Sequence, residues 1–165
     1  MVETTQHSTD FIVGMADIKT GKSPDFLVTN LGSCVAVCLY SEKHQAGGIL
    51  HLMMATIGPN ANKPDLKKAK YADTGIPELF RLLKINYGIQ VIDCKAKIFG
   101  GGKILKNVTN QIGFQNEEES RKILQKYGVP IIAAKTGGEK GYKVRLNLNT
   151  GKVLCQIFGS QPEEF

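Results

Sequence analysis

Few side chains in this sequence can do covalent chemistry, and two of them stand at a spacing that suits a thiol hydrolase. There are four cysteines, Cys34, Cys38, Cys94 and Cys155. Only Cys34 follows a Gly-Ser corner, at the edge of the short apolar run 35–40. A thiol hydrolase needs a sulfur anion, a base within hydrogen-bond reach and donors for the developing oxyanion. Of the three histidines, His7 lies in a ragged polar terminus, His44 in a polar turn, and His51 in an apolar strand. With the turn placed on residues 41–44, Tyr40 opposes Gln45 and Cys34 opposes His51. Opposed residues of an antiparallel pair have Cβ atoms roughly 4.5–5.5 Å apart, within reach of an imidazole. The match depends on that turn, because a one-residue slip moves the side chains to opposite faces. Gly32 lets the chain turn sharply, so the backbone N–H groups around Gly32 and Ser33 are candidate oxyanion donors. An adjacent imidazolium would lower the thiol pKa. Thr29, just upstream, offers a hydroxyl or carbonyl to hold the ring in one tautomer.

Other chemistries compete for the same residues. Cysteine is among the most buried residue types, which accounts for Cys38, Cys94 and Cys155 as packing residues. Spacing alone leaves Cys34 open between packing and catalysis. Cys34, Cys38 and His51 could supply zinc ligands, but no C-x-x-C or H-x-x-x-H spacing accompanies them. A redox pair of Cys34 and Cys38 would place its Cα atoms about 13 Å apart along a strand, too far to bridge. Gly100-Gly101-Gly102 is followed by no Lys-Ser or Lys-Thr, so it reads as a turn and not a phosphate loop.

The elements that must position these residues can be read from periodicity. Strands are expected over 11–17, 26–29, 35–40, 47–54 and 91–99. Residues 56–70, rich in lysine, read as a surface loop. Ile76, Leu79, Phe80, Leu83 and Tyr87 form the stripe of an amphipathic helix, with Pro77 suited to its first turn and Gly88 to its end. A second helix is expected after Asn116 as cap, with Glu117, Glu118 and Glu119 at the positive end of its dipole and Gly128 closing it. Strands over 129–135, 143–148 and 152–158 follow, the last two joined at Asn149-Thr150-Gly151. Strands outnumber helices without a regular βαβ alternation. The expected class is α+β, mainly antiparallel, with two main helices on one face.

Composition bounds the rest. The chain has 165 residues, 42% hydrophobic and 22% charged, as one ordinary globular domain would. We expect residues 1–10 to be a flexible N-terminus and 11–165 a single domain. No apolar run approaches the length of a bilayer span, and residues 1–15 lack the basic-then-apolar order of a signal peptide, so the expected location is cytoplasmic. The net charge of +6 comes from scattered lysines with almost no interleaved aromatics, which argues against a nucleic-acid surface.

Thr29-Asn30-Leu31-Gly32-Ser33-Cys34, the apolar strand after it, and Gly47-Gly48-Ile49-Leu50-His51 together resemble the CheD family of chemoreceptor glutamine deamidases. So do Tyr71-Ala72-Asp73 ahead of Ile76-Pro77-Glu78-Leu79, and Lys97-Ile98-Phe99-Gly100-Gly101. Further on, Ile112-Gly113 ahead of Asn116, Gly137-Gly138, Lys143-Val144 and Thr150-Gly151 extend the likeness over nearly all of the chain after residue 10. The resemblance implies a three-layer β/β/α sandwich like that of bacterial cysteine deamidases, including a Rho-modifying toxin domain. It implies hydrolysis of selected glutamine side chains on the cytoplasmic helices of chemotaxis receptors, giving glutamate and ammonia through a thioester. Cys34 would be the nucleophile, His51 the base and Thr29 its orienting group, with no cofactor, metal or membrane insertion. It also implies a second partner, the adaptation phosphatase CheC. The competing expectation is a chemotaxis binding module that docks on receptors or CheC without turnover.

Overall fold

The computed structural model describes residues 6–104 and 111–165. Ten strands run in chain order: β1 Asp10–Ile12, β2 Asp17–Lys22, β3 Phe26–Leu31, β4 Val35–Ser41, β5 Ala46–Leu52, β6 Lys95–Gly100, β7 Ile131–Thr136, β8 Tyr142–Asn147, β9 Val153–Ile157 and β10 Glu163–Glu164. Among the described residues two α-helices interrupt them, α1 Ala72–Tyr87 and α2 Ile112–Lys126. The strands form two five-stranded sheets, ordered β1-β3-β8-β9-β10 and β2-β5-β4-β6-β7. Each sheet holds one parallel pair, β1 with β3 and β6 with β7, among antiparallel neighbours. Both helices cover the outer face of the second sheet, so the order of layers is sheet, sheet, helices. This is the α+β, three-layer β/β/α sandwich expected.

Two cores follow from the period of two along β4 and β5. Val35, Val37 and Leu39, with Leu50 and Leu52, face the helices and meet Ile76, Leu79, Phe80 and Leu83 of α1. Each of those four helix side chains stabilises the fold by roughly 1.5–3 kcal/mol through burial. Ala36, Cys38 and Ile49 face the other way, into the space between the sheets, with Leu27, Leu31 and Val144 of the first sheet. Strand β4 is therefore buried on both faces, which is why it reads as an unbroken apolar run.

Several local readings need correction. Residues 11–17 are not one strand. The chain leaves β1 after Ile12, turns with Ala16 at φ 53°, and enters β2 at the edge of the other sheet. Helix α1 begins a turn before the apolar stripe, so Pro77 lies inside it. The Asp73 carboxylate supports that earlier start by accepting the Ile57 N–H at 3.1 Å, beside the positive helix end. Gly88 does end α1, at φ 68°. Helix α2 begins at Ile112, four residues before Asn116. Among the described residues no helix is long and apolar enough to cross a membrane.

Candidate active site

The β4–β5 hairpin turns one residue later than the sequence suggests, which moves every opposed partner by two. Ser41 pairs with Ala46, and Ala36, not Cys34, stands opposite His51. The turn residues are held by Ser41 Oγ against His44 Nδ1 at 2.7 Å, which occupies His44 far from Cys34. A shift of two residues preserves the face. Cys34 accordingly packs against the inter-sheet core, the side to which His51 and Thr29 also belong. It immediately precedes β4, whose first residue Val35 pairs with Leu52, the neighbour of His51 in sequence.

Thr29 comes from the first sheet and His51 from the second, and they meet between them. Thr29 Oγ1 lies 2.7 Å from His51 Nδ1 and 2.7 Å from the Val13 carbonyl. A hydroxyl has one hydrogen. Given to Val13, which can only accept, it leaves Thr29 Oγ1 as acceptor toward the ring. His51 Nδ1 then carries the proton, and Nε2 presents its lone pair. Nε2 is buried and has no hydrogen-bond partner among the described residues, the Cys34 thiol included. Catalytic hydrogen bonds are commonly long in unliganded sites and tighten around substrate.

The backbone around Cys34 is tied back through its carbonyls. The Gly32 carbonyl accepts the Gly102 N–H at 3.0 Å, and the Cys34 carbonyl accepts the Gly101 N–H at 2.8 Å. The Ser33 carbonyl accepts Asn116 Nδ2 at 3.1 Å. Among the described residues, the N–H groups of Gly32 and Ser33 donate to no other backbone or side-chain acceptor. A corner with its acceptors engaged and its donors free is suited to bind an anion.

Electrostatics favour two neutral groups at rest. Burial pushes the Cys34 thiol above its ordinary 9.0, partly offset by a backbone hydrogen bond at Cys34 itself. Burial likewise holds His51 below its ordinary 6.5, opposed by the Val13 carbonyl and by the charge of Asp17. The expected thiolate beside an imidazolium is thus not the resting state, because both charged forms lose solvation. The remaining cysteines are harder to ionise: burial pushes Cys38 and Cys94 to about 12 and Cys155 to about 11. Cys34 is half-buried and the other three are buried. Native-state iodoacetamide is therefore expected to modify Cys34 alone, at a rate still climbing as pH passes 9.0. Peptide mapping after brief treatment checks this; labelling shared among the cysteines would contradict it.

Sequence reasoning missed four contributors. Val13 acts through its carbonyl, in a segment read as the middle of a strand. Gly101 and Gly102 act through N–H groups, in a segment read only as a turn. Asn116 was read as a helix cap, yet it is fully buried inside α2. The only signal for it was an amide on a helix face otherwise made of Gly113, Ser120 and Leu124.

Comparison with known proteins places these residues in a family context. The profile described as CheD chemotactic sensory transduction matches residues 53–157, starting two residues beyond His51. A probable chemoreceptor glutamine deamidase CheD of Methanococcus vannielii is 43% identical over 148 residues, covering 87% of this chain and 92% of its own. The chemoreceptor glutamine deamidase CheD of Thermotoga maritima is 35% identical over 149 residues, covering 90% and 92%. A probable chemoreceptor glutamine deamidase CheD of Desulforamulus reducens is 34% identical, covering 96% and 97%. A profile match through both helices and two strands of each sheet, with relatives aligned along nearly their whole lengths, means that the chain belongs to the CheD family.

Proposed function

We propose that this protein hydrolyses the side-chain amide of glutamines on the cytoplasmic helices of chemotaxis receptors, converting them to glutamates in place and releasing ammonia. Cys34 is the nucleophile, His51 the base and Thr29 the group that orients it. The N–H groups of Gly32 and Ser33 receive the oxyanion. What supports this reading most is the hydrogen bond from His51 Nδ1 to Thr29 Oγ1, since it leaves the Nε2 lone pair free. The names of the relatives supply the substrate class.

The steps follow from neutral partners. Nε2 takes the thiol proton as Sγ attacks the carboxamide carbon, so charge develops only with bond formation. The tetrahedral oxyanion forms against the donors of the corner. The imidazolium gives its proton to the leaving nitrogen, ammonia departs, and a glutamyl thioester remains on Cys34. Nε2 then deprotonates a water that attacks the thioester carbonyl. Collapse expels the sulfur, which recovers its proton from the ring, and the new side chain leaves as a carboxylic acid that gives its proton to water. A phosphatase of the CheC type is the proposed second partner, competing with receptor for the face that carries Cys34.

Incubation with a receptor cytoplasmic fragment, followed by peptide mass spectrometry, tests the reaction. Conversion of specific glutamines to glutamate is expected, and intact glutamines after prolonged incubation would overturn it. Thr29→Val, which keeps shape but removes the acceptor of the ring proton, is expected to lower kcat about 100-fold by freeing the ring to change tautomer and tilt. A Thr29→Val enzyme with unchanged kcat would remove Thr29 from the mechanism.

A further inference from the structure

We infer that Asn116 is the positioning residue that sets the nucleophile corner against the strand of the base. This rests on the Cys34–His51 reading above and deepens it. The Asn116 side-chain amide donates from Nδ2 to two carbonyls at once, Ser33 at 3.1 Å and Met53 at 3.0 Å. Ser33 precedes Cys34, and Met53 follows His51 by two residues. One planar group on α2 therefore spans the two segments whose separation determines whether sulfur and Nε2 can meet. No other side chain among the described residues bonds to both segments.

The surroundings of Asn116 make that span rigid. The residue is 0% exposed. Its backbone carbonyl accepts the Ser120 hydroxyl at 2.6 Å, in addition to its place in the helix. One turn earlier, Gly113 lies so close to the Gly100–Gly102 turn that a Cβ there would stand 2.3 Å from the Gly101 oxygen. That contact brings α2 down onto the same turn that holds Gly32 and Cys34 through the N–H groups of Gly102 and Gly101. The corner is thus gripped by the glycine turn and by Asn116, both seated on α2.

Asn116 also bears a cost that packing does not explain. Its Oδ1 is buried without a hydrogen-bond partner among the described residues, a condition shared by His51 Nε2. An apolar side chain of the same size would avoid the orphaned acceptor and suit the helix better. What it could not do is hold two carbonyls at a fixed separation.

The test compares Asn116→Leu and Asn116→Ser with Leu124→Ala, a fully buried apolar change on the same helix face whose side chain makes no hydrogen bond to either segment. For Asn116→Leu, a kcat about 100-fold lower with KM within about threefold is expected, together with a changed rate of iodoacetamide modification at Cys34. Asn116→Ser keeps one short donor, folds in a smaller space and is expected to lose less. Leu124→Ala is expected to lower the melting temperature while retaining kcat and alkylation rate below its transition. Asn116 variants with wild-type kcat and alkylation, or with losses that merely track their melting temperatures as in Leu124→Ala, would overturn the inference. Cys34→Ala in the same assay separates the two claims. If it is inactive while Asn116→Leu is not, only the positioning role falls; if it is active, the dyad reading falls.

Discussion

Cys34→Ala is expected to fold as the parent does and to deamidate receptor glutamines about ten-thousandfold more slowly or worse. The size of the loss follows from the absence of a substitute. Cys38 is buried beneath β4 with its thiol at about 12, and neither Cys94 nor Cys155 is accessible. The fold survives because the change removes one half-buried sulfur from the margin of the inter-sheet core. A cost of about 1 kcal/mol would shift the melting temperature by only about 2–4 °C in a chain of this size. Ammonia release and circular dichroism on the same preparation check both halves. Receptor binding that persists in the inactive variant is also expected, since the sulfur contributes little surface, and it separates turnover from docking.

His51→Gln is expected to lower kcat by about 10³–10⁴-fold, the contribution of a positioned general base that serves both acylation and deacylation. Glutamine fills much of the buried space but offers no lone pair of comparable basicity. The pH profile supplies the sign. Burial depresses the pKa of His51, so the ring stays neutral to lower pH than a free imidazole. Wild-type kcat/KM is then full above the depressed value and is lost as pH falls through it, with a midpoint below 6.5. In His51→Gln that acid limb should vanish from the residual rate. A limb with its midpoint at or above 6.5, or one that persists in the variant, would assign it to another group.

The legible parts of this protein were those whose residues answer to a local rule. Strand β4 announced itself by an apolar run buried on both faces, and Gly88 by the positive φ that ends α1. Thr29 and His51 meet, and Cys34 packs on the same inter-sheet side, even though the hairpin register was misread, because an error of two residues leaves every side chain on its own face. Strand β2 was invisible: Asp17–Lys22 has a single aliphatic side chain, Ile18, and is held by edge pairing with β5. Asn116 was misassigned for a related reason. An asparagine followed by three glutamates satisfies the rules of a helix N-terminus, yet α2 starts four residues earlier. Its first turn is fixed by Gly113 pressing on Gly101, a contact between segments that no local pattern encodes. The parts of the site made from main chain, the Val13 carbonyl and the N–H groups of Gly101 and Gly102, were unreadable on the same ground.

The proposed chemistry turns on a covalent bond between a receptor glutamyl group and the sulfur at position 34. Rapid mixing with a receptor fragment, acid quench within one turnover and intact-mass spectrometry would detect it directly. The account predicts an adduct whose mass is the sum of protein and fragment less ammonia, mapped by fragmentation to Cys34. Glutamate product formed with no adduct at any time before turnover is complete, or an adduct on a different side chain, would contradict it.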